Sequence, residues 1–218
     1  MRFSDTLFVI TEDLWKEALD KPFVKKMADG SLEKYLYANY MLQDYLYLQD
    51  YVEILKRILS MVEDPALREY LEKILLQTET ETEHVHLPEM KKLGITEADI
   101  KNATKEQVLQ EYTDYMLLQP EHLGMIAGLV ALLQCSWGYA YLAREMSDRH
   151  PQAVAVSPYR EWFAAYTDPA YTEANRLWIE AVDRETKDQD PKQAEQLCEI
   201  FQTCARYENR FWDALYNV

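Results

Sequence analysis

Residues 123–143 read LGMIAGLVALLQCSWGYAYLA, an uncharged stretch in a chain that is otherwise polar and acidic. Its length approaches that of a bilayer-spanning helix. Gln134, Cys135 and Ser136 fall near its middle, however, and the stretch stands alone. A helix buried on all sides by its neighbours gives the same pattern. The stretch therefore reads as the central helix of a packed core, with no membrane as partner.

Outward from that helix, helical signals dominate. Only five glycines occur, and no period-2 run bounded by turn residues reads as a strand. Helix starts are written as Asp64-Pro65, Ser157-Pro158, Asp168-Pro169 and Asp190-Pro191. Each pair sets a capping oxygen before a proline whose missing N–H costs nothing in the first turn. Thr104-x-x-Gln107 reads as a capping box, and Gly30, Gly94, Pro120 and Pro151 read as stops. Helices are expected over residues 11–28, 32–62, 65–93 (bent by Pro88), 104–119, 121–149, 158–167, 169–187 and 191–216. Connections are short, without linker or repeat, so the expectation is a single all-α domain over residues 1–218, built as a helical bundle. A domain of 218 residues buries about 70% of the surface its unfolded chain exposes, and needs no disulfide or metal staple.

Charge narrows the function classes. Lys and Arg number 23 against 38 Asp and Glu, a net charge of −15. That sign opposes nucleic-acid binding, which depends on Lys and Arg neutralising phosphates. Three cysteines, Cys135, Cys198 and Cys204, make an odd set without framework spacing, as suits a reducing compartment. The opening Met1-Arg2-Phe3-Ser4-Asp5-Thr6 has no apolar signal region, and the expected location is cytoplasmic.

Three helices carry a reactive or ionisable residue inside an apolar stripe. Leu197, Phe201, Cys204, Glu208, Phe211 and Leu215 form a heptad-type seam with Glu208 at a core position. Tyr37, Tyr40, Asp44, Tyr47 and Tyr51 place Asp44 in a tyrosine-lined stripe. Gly128, Ala131, Cys135, Tyr139 and Leu142 share a face of the uncharged helix. Each acid alone could be a buried ion pair, and Cys135 alone could pack as a small hydrophobe. Two acids and a thiol on three helix interiors, among tyrosines, would supply a nucleophile, an acid/base and aromatic walls. Tyr47, Tyr112, Tyr139 and Tyr166 suit a flat, nitrogen-containing ligand, on which a tyrosine can stack while its hydroxyl hydrogen-bonds.

A metal reading is weaker. Glu83-x-x-His86, with Glu79 a turn earlier, is half of a di-iron motif and lacks its second Glu-x-x-His. Cys198 and Cys204 lack zinc-pair spacing, and there is no P-loop or G-x-G-x-x-G.

The ordered motifs resemble the TenA family, the thiaminase II or aminopyrimidine aminohydrolase enzymes. The resemblance runs from Leu14-Trp15 and Lys21-Pro22-Phe23-Val24 through Asp29-Gly30-Ser31-Leu32 to Tyr40-x-x-Gln43-Asp44-Tyr45-x-Tyr47-Leu48. It continues at Tyr112-x-x-Tyr115, Leu132-Leu133-Gln134-Cys135-Ser136-Trp137-Gly138-Tyr139, Trp162 and Tyr166, and closes at Tyr207-Glu208-x-x-Phe211-Trp212. It implies a heme-oxygenase-like bundle, a homotetramer, and no metal or organic cofactor. It also implies hydrolysis at the exocyclic methylene of 4-amino-2-methylpyrimidines, whether an aminomethyl-pyrimidine or thiamin, for thiamin salvage. Carried over by position, the catalytic cysteine is Cys135 and the catalytic glutamate Glu208. The pyrimidine-binding aspartate is Asp44, and the ring-contacting tyrosines are Tyr47, Tyr112, Tyr139 and Tyr166. Two positions depart from the family pattern: Lys21 replaces a common His before Pro-Phe-Val, and Gln134 a common Pro before the cysteine. The rival readings are a non-catalytic pyrimidine or thiamin carrier, a di-iron oxygenase on the same fold, and a gene-regulatory protein.

Overall fold

The computed structural model describes residues 2–217, and among them are twelve α-helices and no strand. In chain order these are α1 (Phe3–Asp20), α2 (Pro22–Asp29), α3 (Lys34–Met61), α4 (Pro65–Glu81), α5 (Leu87–Lys92) and α6 (Glu97–Asn102). There follow α7 (Gln107–Leu123), α8 (Met125–Arg149), α9 (Pro151–Val156), α10 (Arg160–Thr167), α11 (Pro169–Glu185) and α12 (Pro191–Tyr216). A π-helical turn, Thr82–His86, joins α4 to α5. The helices gather into two compact units, one of residues up to Leu32 with Leu129–Asn217, the other of Glu33–Gly128.

In the first unit α1 lies along α12. Trp15 meets Phe201 at 6.0 Å between ring centroids. The side-chain amides of Gln202 and Asn209 donate to the carbonyls of Ile10 and Leu14. Asp183 of α11 accepts from both the backbone N–H and the hydroxyl of Ser4, and the Trp178 indole donates to the Leu129 carbonyl. In the second unit α3 packs on α4 and α7. Gln43 fixes α3 to the start of α7, its amide donating to the Thr104 carbonyl and its oxygen accepting from the Glu106 N–H.

The uncharged stretch lies in α8, which by length and composition alone could cross a membrane. Yet 67% of its most apolar window is buried inside the protein, in keeping with a core helix.

Asp64, Asp168 and Asp190 cap their helices as expected, each accepting backbone N–H groups of the first turn. Elsewhere the punctuation differs. Ser157 does not begin a helix. It is fully buried, donates to the Met27 carbonyl and accepts from the Tyr159 N–H, and α10 starts only at Arg160. The facing Gly30 is needed twice over, because its φ is +80° and a Cβ there would meet Pro158 at 2.9 Å.

Thr104 caps nothing; the N-cap of α7 is Glu106, while a capping box forms at Thr96 and Asp99. Pro120 lies inside α7 rather than ending it. The neighbouring carbonyls of Tyr115 and Leu117 receive donors from Gln119 and Arg57, and α7 closes one turn later at Gly124, whose φ is +80°. The expected segment 11–28 is two helices broken at Lys21, with α1 starting earlier, at Phe3. The expected bend at Pro88 is taken up just upstream by the π-turn, since a proline clashes with the carbonyl four residues before it.

Gly128 gives α8 close approach within the second unit. A Cβ there would stand 2.8 Å from Ile58 Cγ1 and 3.3 Å from Pro120, and Ile58 is fully buried. Overpacking costs about 1–3 kcal/mol, against a helix-propensity gain of about 1 kcal/mol for Gly to Ala. Gly128→Ala is therefore expected to lower stability by roughly 1 kcal/mol and Gly128→Val by more. Urea unfolding checks this, and equal midpoints for all three proteins would contradict it.

Candidate active site

Each unit carries its own set of the residues singled out in the sequence. In the first, every seam residue of α12 named above is buried, Glu208 included at 7% exposed. A carboxylate rarely enters a seam without a role or a partner, because desolvation costs it several kcal/mol. Glu208 and Tyr139 line one small cavity of about 20 Å³ together with Trp15, Gln134, Gly138 and Trp212. Cys135 is half-buried on α8, one turn before Tyr139 on the same face.

Aromatic rings wall this region. Tyr139 stands 5.1 Å from Tyr166, 5.8 Å from Trp162 and 5.5 Å from Trp212 between ring centroids. Trp162 stands 4.7 Å from Tyr166. Offset and edge contacts of this kind fix ring planes. A cavity of about 580 Å³ in the first unit is lined by Phe8, Trp137, Tyr141 and Asn175, and none of the predicted residues lines it.

The two departures from the family pattern have visible consequences. Lys21 ties the α1–α2 junction to α12, its ammonium 2.7 Å from Asp213 and 2.9 Å from Glu17. Gln134 leaves α8 unbroken and is 1% exposed. A Cβ on Gly138 would stand 3.2 Å from both the Gln134 amide nitrogen and the Trp15 indole nitrogen, so glycine leaves room for this side chain. Cys204 is buried in the α12 seam, and burial with nearby Glu195 pushes the Cys198 thiol up.

In the second unit Tyr37, Tyr40, Asp44, Tyr47 and Tyr51 are all buried, as their spacing predicts. Tyr47 and Tyr112 stack at 5.8 Å with planes 27° apart. Asp44, 6% exposed, accepts a hydrogen bond from His86 Nε2 at 2.6 Å. Burial works against the His86 imidazolium, but the bond and charge of Asp44, with Glu81, outweigh it and raise the His86 pKa. The half-motif Glu83-x-x-His86 is thus split, with Glu83 exposed and Glu79 paired with Lys56. Among the described residues no three His, Cys, Asp or Glu side chains converge.

Sequence reasoning missed His86 as the partner of Asp44. The two are 42 residues apart, and only the wide π-turn aims the imidazole. It also gave no role to Trp162 and Trp212, whose tryptophan identity was the available signal.

The sequence matches the model of the TENA/THI-4/PQQC family over residues 11–218. It is similar to the aminopyrimidine aminohydrolase of Halalkalibacterium halodurans, 30% identical over 217 residues, which cover 100% of this chain and 96% of that protein. A solved TenA homologue from P. horikoshii superposes with a TM-score of 0.85 at 27% identity, covering 100% of this chain and 99% of the other. A Shewanella denitrificans domain of unknown function, described as having a heme oxygenase-like fold, gives a TM-score of 0.73 at 13% identity over 98% of this chain and 90% of its own. That last likeness concerns fold alone, and it bears out the expected all-α, heme-oxygenase-like bundle.

The raised His86 pKa makes stability depend on pH. A folded-state value above the unfolded one, about 6.5, adds stability that is fully present below the unfolded value and is lost as pH rises through the folded one. The stability gap between wild type and Asp44→Asn is expected to be widest near pH 5.5 and to narrow towards pH 9. Urea unfolding across this range checks the sign, and a gap that widens with pH would contradict it.

Proposed function

The chain belongs to the TENA/THI-4/PQQC family, and from that premise we propose that it is a thiamin-salvage hydrolase acting at the exocyclic methylene of 4-amino-2-methylpyrimidines. Aminomethyl-pyrimidine and water would give hydroxymethyl-pyrimidine and ammonia; thiamin, a thiazolium cation, and water would give hydroxymethyl-pyrimidine, the neutral thiazole and a proton. The observation that carries this reading is the buried Glu208 carboxylate among Tyr139 and Trp212, with Cys135 one turn from that tyrosine. The full-length likeness to a relative named aminopyrimidine aminohydrolase supports it.

In the proposed mechanism the Cys135 thiolate adds to the ring carbon beside the one bearing the methylene. Electrons move onto the substituted carbon and expel the amine, which takes a proton from Glu208, leaving an exocyclic methylene. Water adds to that methylene as Glu208 takes its proton, the electron pair returns to the ring, and the Cys135–carbon bond breaks. Covalent addition splits one hard displacement into easier steps, and a glutamate used first as acid and then as base is served by burial. Asp44 would accept from the amino-pyrimidine edge, and Tyr47, Tyr112, Tyr139 and Tyr166 would hold the ring. A thiol titrates at about 8.5, so Cys135 would be activated by its surroundings or by substrate binding. The scheme uses no metal or organic cofactor. We also propose one catalytic domain over 1–218, the homotetramer that the family resemblance implies and, from the cysteine usage, a cytoplasmic location.

The test is ammonia release from aminomethyl-pyrimidine, with thiamin cleavage in parallel. Cys135→Ala and Glu208→Gln are each expected to lower kcat by about 10²–10⁴-fold. Full turnover by Cys135→Ala would overturn the covalent scheme, and binding without turnover in wild type would favour a carrier. Light scattering is expected to give four times the chain mass of 25.8 kDa; a monomer mass would overturn the tetramer.

A further inference from the structure

His86 is a buried imidazole to which the mechanism above gives no part. His86 is the buried residue of the π-turn, 4% exposed, in a segment whose other side chains are exposed or half-buried. Its presentation is built in. The Leu87 N–H bonds five residues back to the Thr82 carbonyl, and the Thr82 hydroxyl donates to the Thr78 carbonyl. Met90, fully buried, anchors the helix that follows. Wide turns of this kind cost helix regularity and are frequent at functional sites. Here the turn delivers one contact, His86 Nε2 on Asp44 Oδ2 at 2.6 Å.

That contact is one-sided. Oδ2 is engaged by His86, while among the described residues no donor bonds Oδ1. A carboxylate with one oxygen pinned and the other open is an oriented, charged acceptor. A 4-aminopyrimidine presents an exocyclic N–H donor on its edge, which such an oxygen fits. Charge-assisted bonds at this distance are strong and directional, so fixing the carboxylate plane beforehand removes an ordering cost from binding.

We infer that His86 is a positioning residue for Asp44, holding Oδ2 so that Oδ1 stands as a fixed acceptor for the amino group of an aminopyrimidine. This rests on the reading that Asp44 binds the pyrimidine edge. It goes further by assigning the amino-group discrimination to a pair of residues. A purely structural His86 would stabilise the fold and leave ligand choice unchanged.

Calorimetric titration separates the two. The probes are 5-hydroxymethyl-4-amino-2-methylpyrimidine and its analogue lacking the 4-amino group, added to wild type, His86→Gln, His86→Asn and His86→Leu. Hydrogen bonds to charged groups contribute about 1.5–3 kcal/mol, so His86→Leu is expected to bind the amino compound roughly 10- to 100-fold more weakly. Binding of the des-amino compound should stay within about twofold of wild type, its amino-group contact being absent already. His86→Gln, which keeps a long side chain with an N–H donor, should recover most of the loss, whereas the shorter Asn should not. With substrate, KM should rise more than kcat falls. Equal affinities for wild type and a folded His86→Leu, or equal losses for both compounds, would overturn the inference. Should His86→Leu not fold, indistinguishable discrimination by Gln and Asn would overturn it as well. Wild type that binds neither compound would overturn the functional reading and this inference with it.

Discussion

Removing a carboxylate from water costs several kcal/mol unless hydrogen bonds or charges offset it. This chain incurs that cost at two seam positions, Asp44 on α3 and Glu208 on α12. Much of the local architecture follows from it. At Asp44 the offset is His86, which required a break in helical regularity between α4 and α5. At Glu208 the surroundings are Trp15, Tyr139, Trp212 and Gln134 around a cavity of about 20 Å³. A structure selected only for stability would place Leu at both positions, since well-packed apolar residues match or exceed buried ion pairs.

Aromatic side chains supply the rest of that environment. Tyr139, Trp162, Tyr166 and Trp212 form a contiguous set of ring contacts in one unit, and Tyr47, Tyr51 and Tyr112 another in the second. Tyrosine and tryptophan bring large apolar faces at low conformational cost, with a polar atom at the tip. Rings already locked against one another can receive a planar ligand without reorganising, which is the form of preorganisation that favours binding.

The seam positions were legible in the sequence because a helix places every third or fourth residue on one face. That arithmetic put Asp44, Cys135, Tyr139 and Glu208 on inward stripes, and Asp44, Tyr139 and Glu208 are buried with Cys135 half-buried. The Asp-Pro starts were legible for a similar reason, being local chemistry within two residues. What failed was long-range or compensated. Pro120 read as a stop, yet α7 continues through it to Leu123. Ser157 read as a helix start, yet α10 begins only at Arg160, and the Ser157 hydroxyl donates to Met27, 130 residues away in sequence. His86 read as half a metal site, because spacing on a regular helix puts it beside Glu83, and a π-turn changes which side chains share a face.

The proposed reaction turns on attack by Cys135 on a pyrimidine ring that Tyr139 and Tyr166 help to hold. A crystal structure with hydroxymethyl-aminopyrimidine bound tests it most directly. The account predicts the ring against Tyr139 and Tyr166, with Cys135 Sγ in van der Waals contact with the ring carbon beside the substituted one and Glu208 within hydrogen-bond reach of the hydroxymethyl oxygen. A ring found instead in the 580 Å³ cavity beside Phe8 and Trp137, away from the Cys135 sulfur, would contradict it.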